Sequence, residues 1–168
     1  LCSLMPDVDR LSVSVEIEIS PSGKIVHHEI FESVIRSKAR MTYTKVNAIL
    51  EGDEKLNKEY HELLPMLNHA HKLSKILHKK RSQTGSINFE TEEAYILLNK
   101  QGKAIDVKLR ERGESERMIE EFMLIANQVI AEHMHWLQLP FIYRVHDEPK
   151  DEKLERLLSM ASALGFDV

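Results

Sequence analysis

The stretch 118–131, MIEEFMLIANQVIA, constrains this chain more than any other. Stepped at about 100° per residue it forms a helix. Ile119, Met123, Ala126, Ile130 and Leu137 fall on one stripe, with Glu120, Leu124, Asn127 and Ala131 along its flank. Ser115, Glu114 and Glu116 suit the positive N-terminal end of a helix starting near 114, and Pro140 closes it. A carboxylate and an amide therefore lie beside the apolar positions. Burying either one unpaired is costly, so this flank must face a partner, a pocket or a polar network.

The other elements follow in order. Leu11, Val13, Val15, Ile17 and Ile19 alternate with Ser12, Ser14, Glu16 and Glu18, the pattern of a half-buried strand. Pro21 and Gly23 form a turn, and 24–35 returns as a second strand. Thr42 or Thr44 caps a short helix that stops at Gly52. A second helix runs from 53 to about 81, with a break or kink at Pro65. Strand character over 86–89, 94–98 and 104–109 predicts a meander. The aromatic and β-branched run 141–146, FIYRVH, predicts a strand, and a last helix ends at Gly165. The fold class is α+β, antiparallel strand pairs packed with several helices.

With 168 residues, 42% hydrophobic and 30% charged, the chain can bury one ordinary core, and 1–168 is expected to be a single domain. It lacks the apolar run of about 18 residues that a membrane helix needs, and its start lacks the features of a signal peptide. A soluble cytoplasmic protein with no membrane partner is expected. Cys2 is the only cysteine, which excludes an intrachain disulfide, a thiolate zinc cluster and a redox pair. A net charge of −4 argues against holding nucleic acid by overall charge and leaves local basic patches open. The opening on Leu1 without an initiator Met predicts a piece of a longer protein.

The nine histidines do not have metal-ligand spacing: His69/His71 and His133/His135 are two apart and point to opposite sides of a helix. Asp7 and Asp9 form a D-x-D that reads as a solvated turn. No nucleophile elbow or glycine-rich phosphate loop is present. Lys72, Lys75, Lys79, Lys80 and Arg81 form a basic helix face, which is either a solvated surface or a phosphate track. Arg36, Lys38 and Arg40 lead into Tyr43, placing cations for phosphate beside a ring for stacking, the combination that single-stranded nucleic acid binding uses. Tyr43 also reads as a core residue. Phe89 has the same two readings, core beside Ile87 or a ring projecting to a ligand among Asn88, Glu90 and Thr91.

Five ordered blocks, from LCSLMPDVDRLSVSVEIEISPSGKI through ESVIRSKARMTYTKVNAIL, GSINFETEEAYILL and MIEEFMLIANQVIA to PFIYRVHDEPKDEKLERL, carry a resemblance. Together they resemble the middle of the RNB catalytic domain of the ribonuclease II and ribonuclease R family. The resemblance implies a processive 3′→5′ exoribonuclease that hydrolyses single-stranded RNA to nucleoside monophosphates with Mg2+, by two-metal phosphodiester cleavage. The family's aspartate cluster and catalytic arginine match nothing here, so no catalytic or metal-binding residue is expected in the chain, which alone is expected to be inactive. Three RNA-binding positions carry over. Phe89 matches an aromatic that stacks on the 3′-terminal bases, and Tyr43 and Glu120 match a pair that contacts the terminal nucleotides. A stand-alone RNA-binding or protein-interaction module is the alternative. Uncovered strand edges would favour self-association.

Overall fold

The computed structural model describes residues 3–86, 93–110 and 112–166. Strands β1 (Asp9–Ile19) and β2 (Ile25–Arg36) pair antiparallel, with a bulge at Glu18/Ile19. Their turn docks on helix α3 (Leu64–Gln83), and glycine makes that approach possible. Gly23 is buried at φ +80°, a Cβ there would lie 3.2 Å from Ile76 Cγ2, and Lys80 Nζ donates to its carbonyl at 2.9 Å. Higher up the hairpin, His28 Nε2 lies 3.0 Å from His133 Nδ1 and ties β2 to helix α4 (Glu114–Trp136).

Helix α1 (Tyr43–Glu51) begins at the Thr42 cap and ends at Gly52, as its sequence predicts. The helix expected over 53–81 is interrupted earlier than Pro65. Helix α2 (Glu54–Glu59) gives way to a 3-10 turn, His61–Leu63, before α3 starts. Pro65 then sits in the first turn of α3, where the missing N–H has no intrahelical acceptor to lose. Strands β3 (Glu93–Leu98) and β4 (Ala104–Arg110) form the second hairpin. Asn99 Oδ1 shapes its turn by accepting from the Gln101 and Lys103 amides. Most of the strand expected over 86–89 lies outside the described residues.

Helix α5 (Asp151–Ala163) ends before Gly165, at φ +86°. The strand expected over 141–146 is absent. These residues are irregular and exposed, with no paired strand to take their backbone groups, and the Phe141 and Tyr143 rings meet edge to face at 5.3 Å. The chain divides into two compact units, Leu1–His133 and Met134–Val168. Among the described residues no helix is long and apolar enough to cross a membrane.

The core of the first unit joins three helices: Val46 and Ile49 of α1, Leu67 of α3 and Met118 of α4, with Met41, Leu56 and Phe122 packed around them. On α4 the buried positions are Ser115, Met118, Glu121 and Val129. Of the stripe expected to be core, Ala126 and Ile130 are half-buried, but Ile119 and Met123 are open, at 45% and 55% exposure. Glu121 decides the rotation, because its carboxylate has a partner on α3. On β1 the expected alternation holds from Val15 to Ile19, but in the first half it is reversed: Leu11 and Val13 lie exposed while Ser12 and Ser14 are half-buried. Both serine hydroxyls hydrogen-bond Ser33, at 2.8 and 2.7 Å, which satisfies the polar face across the strand pair.

Candidate nucleic-acid interface

Two helix starts are locked together. Asn47, in the middle of α1, accepts from the Ser115 amide at 2.9 Å and donates to Glu116 Oε2 at 3.0 Å, so it caps α4 from another helix. The Ser115 hydroxyl donates to the Tyr43 carbonyl at 3.2 Å. Tyr43 is the first residue of α1, and its exposed ring is thereby set beside the first turns of α4. There it shares a groove of about 460 Å³ with Glu120. Ile119, Met123 and Leu124 supply apolar lining, which explains why Ile119 and Met123 are not core; Arg112 and Glu116 complete the walls.

Tyr43 and Glu120, read from sequence as RNA-binding, are thus brought into one groove. Phe89, the third, lies outside the described residues. Asn127 is exposed and lines none of it. The Glu120 carboxylate accepts from Arg112 Nη2 at 2.8 Å and lies 4.0 Å from Arg81 Nη2. Among the described residues no three acidic, histidine or cysteine side chains converge as a metal ion would require.

The next residue, Glu121, is the one buried. Arg81 clasps it through Nη2 at 2.6 Å and Nε at 3.2 and 3.3 Å, and His78 Nδ1 stands 2.9 Å away. Arg81 Nη1 also donates to Ser86 at 2.7 Å. Burial works to raise the Glu121 carboxyl, but hydrogen bonds from Arg81 and His78, aided by their charges, carry it below the ordinary range. The same hydrogen bond raises Arg81. The basic α3 face is therefore partly consumed within the fold, since Lys80 holds Gly23 and Lys75 lies 3.8 Å from Glu114. Sequence reading missed this clasp, whose one local sign is the acid doublet at 120–121.

A pH dependence follows. A carboxylate with a lowered folded pKa contributes its stability fully above the unfolded value of about 4.3 and loses it as pH falls through the folded value. Urea titrations across the acid range are expected to show this loss. Glu121→Gln should flatten it while lowering stability at neutral pH; an unchanged acid limb would remove Glu121 from the account.

Comparison with known proteins decides the family. The RNB domain family matches residues 1–167. The chain belongs to the RNB family. Ribonuclease R 1 of Lactococcus lactis subsp. lactis is 40% identical over 168 residues, covering 100% of this chain and 21% of that protein. Two solved structures of Mycoplasma genitalium RNase R, one in complex with ribose-methylated single-stranded RNA and one with double-stranded RNA, superpose with a TM-score of 0.87 at 27% identity. Each covers 99% of this chain, which covers 26% of the first and 29% of the second. The chain spans between a fifth and a quarter of the length of the curated relatives it matches. The strand pairs and helices of this RNB segment are those of its structural neighbours, in agreement with the α+β expectation.

Proposed function

We propose that this chain is the central part of the catalytic domain of a magnesium-dependent 3′→5′ exoribonuclease acting on single-stranded RNA in the cytoplasm. It supplies a wall of the RNA channel. The observation that carries this reading is the meeting of Tyr43 and Glu120 in one groove of an RNB segment. A ring and an apolar lining suit a base face, and a carboxylate suits the hydroxyl groups of a terminal ribose. The RNase R of Mycoplasma genitalium with single-stranded RNA bound supports the choice of ligand.

In this reading the metal and its hydrolytic chemistry are supplied by other segments of the parent enzyme, whose aspartate cluster and catalytic arginine match nothing in this chain. The 168-residue chain alone is inactive in this reading. The test uses the full-length protein that carries this segment. Stacking is worth about 1–3 kcal/mol per base, so Tyr43→Ala and Phe89→Ala are each expected to weaken single-stranded RNA binding at least about five-fold and to alter the length of the final product. Unchanged affinity and product length in both would overturn the assignment.

A further inference from the structure

The Tyr43–Glu120 groove carries two carboxylates, Glu116 and Glu120, and one cation, Arg112. Its own charge would repel a polyanion unless that cation meets the phosphate. Glu116 is occupied, accepting from Asn47 and lying 3.0 Å from the Ser115 hydroxyl. Arg112 spends only Nη2, on Glu120, at 2.8 Å; among the described residues its remaining N–H groups have no acceptor. Its side chain is 43% exposed. A guanidinium with unused donors in a partly apolar groove matches the paired oxygens of a phosphodiester, which it can grip through two parallel hydrogen bonds.

We propose that Arg112 is an RNA-backbone contact of this groove. Resting on the channel-wall reading above, it assigns the phosphate whose flanking bases lie against Tyr43. In the free protein the Glu120 carboxylate holds the guanidinium at the groove. When the strand enters, the guanidinium moves its hydrogen bonds to phosphate oxygens, and Glu120 is released to accept from a ribose hydroxyl. No bond to carbon or phosphorus changes in this exchange. Arg112 is therefore a binding residue, and the carboxylate and guanidinium divide between them the two polar parts of one nucleotide.

Counterion release makes the assignment measurable. Each phosphate neutralised in a single strand contributes about 0.7 to the slope of log affinity against log salt. Fluorescein-labelled oligoadenylate would be titrated with the full-length protein in EDTA, which prevents hydrolysis, over a potassium chloride series. Arg112→Gln is expected to weaken binding about ten-fold and to lower the slope by about 0.7, while Arg112→Lys keeps the wild-type slope. Weaker binding at an unchanged slope for Arg112→Gln overturns the proposal, because Arg112 would then act only by holding Glu120. If circular dichroism shows that Arg112→Gln has lost its fold, Glu120→Gln carries the test. Freeing the guanidinium must leave the slope at or above wild type, and a lower slope overturns the proposal. Tyr43→Ala separates the two readings: it weakens binding at constant slope if the groove holds RNA. No effect of Tyr43→Ala sinks the groove itself and Arg112 with it.

Discussion

Arg81→Met is expected to lower the local stability of the α3–α4 pair by about 3 kcal/mol, at the low end for breaking a buried ion pair. The methionine keeps most of the apolar stem. What is lost is the clasp on a carboxylate whose residue is only 4% exposed, leaving Glu121 with His78 alone. Hydrogen exchange in the full-length protein reads this element by element. Protection of the α3 and α4 amides should fall about a hundred-fold, given about 1.4 kcal/mol per factor of ten. The double variant Arg81→Met/Glu121→Met should recover most of the loss, because apolar replacement of both partners removes the uncompensated charge. A double variant as labile as the single would show that the clasp is not where the stability lies.

The second large effect is expected at Gly113. A Cβ there would lie 2.6 Å from Asn47 Cγ and 2.7 Å from its Oδ1. An amide at the end of a free side chain could move aside cheaply, but this one is held by the Ser115 amide and the Glu116 carboxylate. Gly113→Ala must therefore either displace the cap or strain the loop, at about 2 kcal/mol when a lost cap and an overpacked contact are combined. Asn47→Ala removes the cap without a clash and should cost about 1 kcal/mol. In the pair Asn47→Ala/Gly113→Ala the clash has gone, so the double variant should be no worse than Asn47→Ala alone. Additive losses would place the damage in the backbone at Gly113. RNA affinity should fall in step with Gly113→Ala, since the same lock seats Tyr43.

Much of the architecture was legible because its signals are local. Thr42 and Gly52 bracket α1, Gly23 marks the first turn, and the acidic residues at 114 and 116 mark the start of α4. Each depends on backbone chemistry within a few residues. The facing of α4 was not legible, since Glu120 and Glu121 are one helical step apart and chemically identical. Arg81, forty positions away, selects which one is buried. The run 141–146 has strand composition, yet a strand exists only where another accepts its hydrogen bonds. Tyr43 and Glu120 were found as a pair through resemblance to a family; periodicity had placed Glu120 on a flank and left Tyr43 open between core and ligand. Arg112 carried no signal, because an arginine shortly before a helix is common and its groove is made by tertiary contact.

The Asn47–Ser115 hydrogen bond closes a loop of 68 residues. The groove is thus a long-range structure: bringing its two halves together costs closure entropy that a local contact does not. Well-formed α1 and α4 do not make it until they dock on each other. A lesion in α3 that loosens the shared core of Val46, Ile49, Leu67 and Met118 can therefore disturb the site without altering one of its residues. The groove is in this sense a reporter of helix docking: the surface offered to a ligand comes into being only once α1 and α4 are joined.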